Sequence, residues 1–180
     1  MTGDSTTRPM RPRGARRWLR HWWIGPMHVR RAFPPAGFDA IERAIAEGER
    51  RHRAELRFAV ESSLHSLQLW RGTSARERAV EVFSSCRIWD TEEDNGVLVY
   101  LLWADHAVEI VADRGAMRAV DPAVWTRACA TLVDACRADR AVDGAVAAIR
   151  LLHDALARAF PADASAPNAD ELPDAPIRLG

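Results

Sequence analysis

The sequence predicts an α/β domain built on a mixed sheet, and three observations carry that expectation. Residues 55–61 alternate with period two, Leu56, Phe58 and Val60 against Glu55, Arg57 and Glu61, the pattern of a strand with one buried face. Residues 97–103 form a continuous apolar run, as in a central strand covered on both faces. The short Ala104-Asp105-His106 connection returns that run into Val108, Glu109 and Ile110, giving an antiparallel hairpin whose second strand lies nearer an edge. Helical patterns separate and follow these strands, so the first strand reaches the second through a right-handed crossover if the two are parallel.

Taken in chain order, residues 1–15 mix Pro, Gly, Thr and Arg without apolar periodicity and read as disordered. Residues 16–31 interleave Trp18, Trp22, Trp23 and Ile24 with Arg16, Arg17, Arg20, Arg30 and Arg31, a strap with apolar surface to bury. Pro34 and Pro35 close it, and a helix begins near Phe38 with Phe38, Ile41 and Ile45 on one stripe. After the first strand, residues 62–73 are mixed in character. Ser74 then stands as N-cap of a helix, with Glu77 completing a capping box and Ala79, Val80, Phe83 and Cys86 facing inward.

Beyond the hairpin, Asp121 and Pro122 open a helix as N-cap and first helical residue, with Trp125, Cys129, Leu132 and Cys136 as its inner stripe. A last helix follows over about 142–160, carrying Val142, Val146, Ile149, Leu152, Leu156 and Phe160, and Pro161 ends it. The tail lacks periodicity until Glu171-Leu172-Pro173 and Pro176-Ile177, an extended segment that drapes over the domain. The chain thus divides into a basic Arg/Trp-rich segment at 1–31, partly disordered, an α/β domain at 32–160, and an extended acidic tail at 161–180.

A chain of 180 residues suits one such domain with tails. All 25 basic residues are Arg, which removes a Walker-type phosphate lysine, a Schiff-base lysine and a Ser-Lys pair from consideration. Formal charge is zero but uneven, with Arg residues crowding the head and Asp163, Asp170, Glu171 and Asp174 facing Arg178 alone in the tail. Cys86, Cys129 and Cys136 have no zinc-type spacing, and a reducing compartment is expected. No apolar run approaches the roughly 18–20 residues that span a bilayer. The expected location is cytoplasmic, or peripheral at the inner membrane.

The chemistry-bearing stretch is residues 89–115, WDTEEDNGVLVYLLWADHAVEIVADRG. A hairpin here carries the loop before its first strand back beside the loop after its second, so Asp90, Asp94, Asn95 and Asp113 should converge, with Glu55 near the same end if the strands are parallel. Oxygen-bearing side chains gathered at one sheet edge point to a hard divalent cation, Ca²⁺ or Mg²⁺, rather than to a nucleophile. Turn chemistry is the plainer account, since Asp and Asn accept backbone hydrogen bonds and Asn95-Gly96 tolerates left-handed angles. Were a reaction present, Asp90 and Asp113 would hold the metal while Arg114 gripped a phosphate through its planar fork. The histidines His52, His65, His106 and His153 look scattered, with no ligand spacing. For the Arg/Trp strap the choices are docking on its own sheet or contact with membrane-associated proteins or a membrane surface, whereas the neutral total charge argues against nucleic acid.

The segments ELRFAVE from Glu55, RERAVEVFSSCRIWDTEEDNGVLVYLLWADHAVEIVADRG from Arg76, and NADELPDAPIRL from Asn168 resemble the TPM-domain family, which includes thylakoid-lumen acid-phosphatase-like proteins and many bacterial relatives. The likeness covers about residues 32–179 and looks like the short bacterial branch lacking a membrane anchor. It implies a three-layer, Rossmann-like fold, a mixed β-sheet flanked by helices on both sides. By this resemblance the acidic loop and the ADRG turn would hold a metal. The chain would serve as an accessory or interaction module for membrane or envelope proteins, or else act as a weak metal-assisted acid phosphatase. Family members often carry two Asn before the strand Gly, and Asp94 replaces the first here, which adds charge and favours a cation.

Overall fold

The structure, a computed structural model, describes residues 13–163 and 171–180. The disorder expected for residues 1–12 therefore lies outside the described residues, while Gly14 and Ala15 belong to a helix. Along the chain run α1 (Arg13–Trp23), α2 (Pro26–Ala32), α3 (Pro35–Glu49), β1 (Leu56–Glu61), α4 (Ser66–Arg71), α5 (Ala75–Ser85), β2 (Val97–Leu102), β3 (Ala107–Ala112), α6 (Arg114–Ala119), α7 (Pro122–Arg137), α8 (Ala141–Ala159) and β4 (Ile177–Leu179).

The four strands lie in the order β3-β2-β1-β4, with β2 antiparallel to β3 and β1 parallel to both β2 and β4. The crossover and the hairpin are therefore both present, and the sheet is mixed. Its two faces carry separate cores. Phe58, Val60, Val99 and Leu101 pack toward Ile41, Ile45, Leu132, Ile149 and Leu152 of α3, α7 and α8. Ala59, Leu98, Tyr100 and Leu102 pack toward Ala79, Val82 and Phe83 of α5, with Leu172 and Leu179 of the tail at the margin. Each large aliphatic side chain taken fully from water contributes roughly 1.5–3 kcal/mol, so both layers hold the sheet.

The expected caps hold. Ser74 accepts from the Glu77 N–H at 3.1 Å while Glu77 Oε2 accepts from the Ser74 N–H at 2.7 Å, and Asp121 Oδ1 accepts from the Ala123 N–H at 2.8 Å. β1 departs from expectation, because all six of its residues are buried. Its alternation marks two different covered faces rather than a wet and a dry one. The tail closes the outer edge through Ala59–Ile177 and Glu61–Leu179 pairing, and of the polar side chains Glu61 is sealed in with Arg78 and Tyr100 while Arg57 Nη1 is buried without a hydrogen-bond partner.

Candidate functional site

The hairpin does bring the two loops together. The Asp113 N–H donates to the Gly96 carbonyl at 2.8 Å, and the Gly115 and Ala116 N–H groups donate to the Asp94 carbonyl at 2.8 and 3.3 Å. A Cβ on Gly115 would stand 2.6 Å from the Glu93 carbonyl oxygen and 2.7 Å from that of Asp94, so the approach requires glycine. Asp94 turns the chain with φ +52°, a left-handed angle that Asp tolerates better than most residues.

Three of the side chains at this corner, Asp90, Asn95 and Asp113, serve local structure, while that of Asp94 is exposed. The Asp90 carboxylate pairs with Arg87 at 3.3 Å, and Asp113 caps α6 by accepting from the Arg114 N–H at 2.6 Å. Asn95, buried, donates from Nδ2 to the Arg53 carbonyl at 2.8 Å, and its own N–H donates to Thr91 Oγ1 at 3.1 Å. Its Oδ1 is buried without a partner. Arg114 is exposed. Glu55 does lie at this end, its carbonyl accepting from the Val97 N–H at 2.8 Å, but its carboxylate accepts from the Glu171 and Leu172 N–H groups at 3.3 and 3.2 Å and so fastens the tail. Among the described residues no group of three or more His, Cys, Asp or Glu side chains is placed to hold a metal ion. Of the side-chain oxygens at this corner, Asn95 Oδ1 is the buried one that lacks a hydrogen bond among the described residues.

Buried polar chemistry lies elsewhere, at places the spacing did not mark. In the α5-side layer, Tyr100 donates to Glu61 Oε2 at 2.5 Å, and Arg78 reaches the same carboxylate at 2.8 and 3.2 Å. Burial and the neighbouring Glu61 charge both hold the Tyr100 hydroxyl protonated well above its usual range. Between α3 and α8, His52 Nε2 and His153 Nδ1 stand 2.6 Å apart, with the rings stacked at 4.9 Å. Burial pushes His52 down to about 4 and His153 down to about 3, so both are neutral. At the start of β1, Glu49 Oε1 accepts from the Leu56 N–H at 2.8 Å. Burial, then a hydrogen bond with Asp174 of the tail, pushes the Glu49 carboxyl up to about 10, leaving it a proton to give Asp174.

The strap is placed by one carboxylate. Asp105, in the β2–β3 turn, accepts from Arg17 Nε at 3.0 Å, from Arg20 Nη2, and from His21 Nε2 at 3.1 Å. Arg17 also donates to the Thr73 carbonyl at 2.8 Å, and the Leu64 N–H donates to His21 Nδ1 at 3.0 Å. At 100° per residue, Arg17, Arg20 and His21 share one side of α1 while Trp18, Leu19, Trp22 and Trp23 share the other. The basic side faces the domain. The apolar side faces water, with Trp22 83 % and Trp23 78 % exposed.

Residues 30–155 match the TPM domain. The chain belongs to the TPM-domain family. Its TPM domain thus runs from the end of α2 into α8, and α1 precedes it. Among solved structures it is similar to the BA42 protein of the psychrophilic bacterium Bizionia argentinensis, determined by NMR, at 25 % identity and a TM-score of 0.70 over 79 % of this chain and 92 % of that one. No curated protein matches. The shared TPM fold covers the acidic corner, the two histidines and the Glu61 network, whereas the Arg/Trp helix lies outside the matched residues. Among the described residues, no helix of this TPM-domain protein is long and apolar enough to cross a membrane.

Proposed function

We propose that this chain is an accessory interaction module, a TPM domain that serves membrane or envelope proteins by contact rather than by turnover. The orientation of α1 carries this reading. A helix that spends its basic side on Asp105 and holds Leu19, Trp22 and Trp23 in water leaves an apolar surface uncovered by the described residues. The acidic corner supports the same reading, because Asp90 and Asp113 are occupied with an ion pair and a helix cap. A contact role at the inner membrane agrees with both.

The alternative is a weak metal-assisted acid phosphatase drawing on Asp90, Asp113 and Arg114, with Ca²⁺ or Mg²⁺ held by Asp90, Asp94, Asn95 and Asp113. The orphaned Asn95 Oδ1 and the joined loops favour it. For Asp90 to take part it must leave Arg87. A chromogenic phosphate ester assay with and without Ca²⁺ or Mg²⁺ separates the two. The expected result is no turnover above buffer and a melting temperature unmoved by either ion or by chelator. Metal-dependent hydrolysis that disappears in Asp90→Ala and Asp113→Ala would establish the phosphatase instead.

A further inference from the structure

We infer that α1 and α4 together form a platform that seats this protein on an anionic phospholipid surface, with indole rings at headgroup depth and arginines on the lipid phosphates. The inference rests on the interaction-module reading and names its counterpart. Arg17 binds the Thr73 carbonyl and His21 binds the Leu64 N–H, so α1 is fastened at both ends of the segment that contains α4. α4 presents Leu67 at 55 % and Trp70 at 76 % exposure, and α1 presents Leu19, Trp22 and Trp23. Two short helices, one tied to both flanks of the other, thus expose large apolar groups.

Charge selects the occupant. Residues 13–32 contain six Arg and neither Asp nor Glu. Arg17 and Arg20 share the single carboxylate of Asp105, while Arg16, Arg30 and Arg31 are exposed. Arg71, at the end of α4, is exposed as well. A protein partner generally offers a shaped pocket for each buried aromatic anchor. A bilayer interface accepts protruding indoles without such complementarity, and an anionic one adds attraction for each nearby arginine. Helices that lie in that interface pair a polar, basic side with a Trp- and Leu-bearing side and have modest total hydrophobicity. α1 has this composition, and the Asp105 clamp fixes which side is offered.

The test is co-sedimentation of the full chain with protein-free vesicles of phosphatidylcholine, with and without phosphatidylglycerol, and with native inner-membrane vesicles before and after protease stripping. The expected result is binding to the phosphatidylglycerol vesicles, weaker binding to phosphatidylcholine alone, and weakening by high salt. Trp22→Ser/Trp23→Ser should bind about tenfold or more weakly, with unchanged circular dichroism because both residues are exposed. Trp70→Ser should weaken binding by a smaller factor. Failure of the wild type to bind phosphatidylglycerol vesicles, or equal binding by the double variant, overturns the lipid inference. Binding only to native vesicles, lost on stripping, overturns it too but leaves the contact role standing on a membrane protein. A dimer on size-exclusion chromatography that the double variant dissolves, with no vesicle binding, assigns the surface to self-association.

Discussion

Asp105 gathers donors from a helix that lies 84 residues earlier in the chain at His21. Burial alone would raise its carboxyl, but hydrogen bonds from Arg17 and His21 outweigh that and hold it below the ordinary range. The tautomer of His21 follows from its partners. Nδ1 accepts from the Leu64 N–H, so the proton sits on Nε2 and is donated to Asp105, and burial keeps the ring from charging. Asp105→Asn leaves two arginines facing a neutral amide, and the expected loss is about 1.5–3 kcal/mol by urea denaturation. In sequence Asp105 was legible only as a hairpin turn residue, since nothing in its neighbours announces a partner so far away. Glu49 is a second residue with a measurable signature. Its folded carboxyl keeps a proton up to about 10 where the unfolded chain releases it near 4.5, so folding takes up a proton and stability falls as pH rises across that window. Glu49→Gln preserves the shape of the contacts to Leu56 and Asp174 without that liability. It should raise stability on the order of 2 kcal/mol near pH 8, with the advantage vanishing in acid.

At the scale of elements, α3 and α8 meet where a glycine allows it. A Cβ on Gly48 would sit 2.1 Å from ring atoms of His153, so the pair His52–His153 exists because α3 has no side chain at that turn. Gly48→Ala is therefore expected to cost about 1–3 kcal/mol as overpacking, read from a thermal melt, although the same change on an open helix surface would stabilise. Long elements with strong periodicity were readable in place: α3, α5, α7, α8, β1 and the β2–β3 hairpin stand about where expected, although the buried stripes are turned by a residue, with Val82 rather than the exposed Val80 inside α5 and Val124 and Ala128 rather than Trp125 and Cys129 inside α7. Six-residue α4 and three-residue β4 were not, because neither spans enough turns or alternations to show a period. β4 also takes its definition from pairing with β1, a contact that only the folded sheet supplies. The histidine pair escaped notice for the same reason, its members being 101 positions apart.

For the molecule as a whole, the buried titratable groups oppose each other. His52 and His153 stay neutral in the fold down to about 4 and 3, while the unfolded chain binds protons below about 6.5, so stability is lost as pH falls through that interval. Glu49 acts in the other direction from 4.5 upward. Two groups against one give a net gain up to about pH 6.5 and a decline above it, so melting temperature should peak close to pH 6.5. A peak displaced well into the alkaline range would contradict the protonated Glu49, and one displaced well into acid would contradict the neutral histidine pair. The fold class was legible because hydrophobic period and cap chemistry are local. Of the candidate corner, the backbone meeting of the Asp94 and Asp113 loops was legible from hairpin geometry. The side-chain outcome was not, since whether Asp90 turns to a cation or to Arg87 depends on neighbours that spacing does not rank.

The outward-facing indoles also set what this protein looks like to light. Of its seven tryptophans, Trp18, Trp22, Trp23, Trp70 and Trp89 are 39 %, 83 %, 78 %, 76 % and 48 % exposed. Intrinsic emission from the native state should resemble that of indole dissolved in water and yield readily to a soluble quencher such as acrylamide. Unfolding will consequently shift the spectrum little, and most photons will report on one end of the molecule rather than on its core.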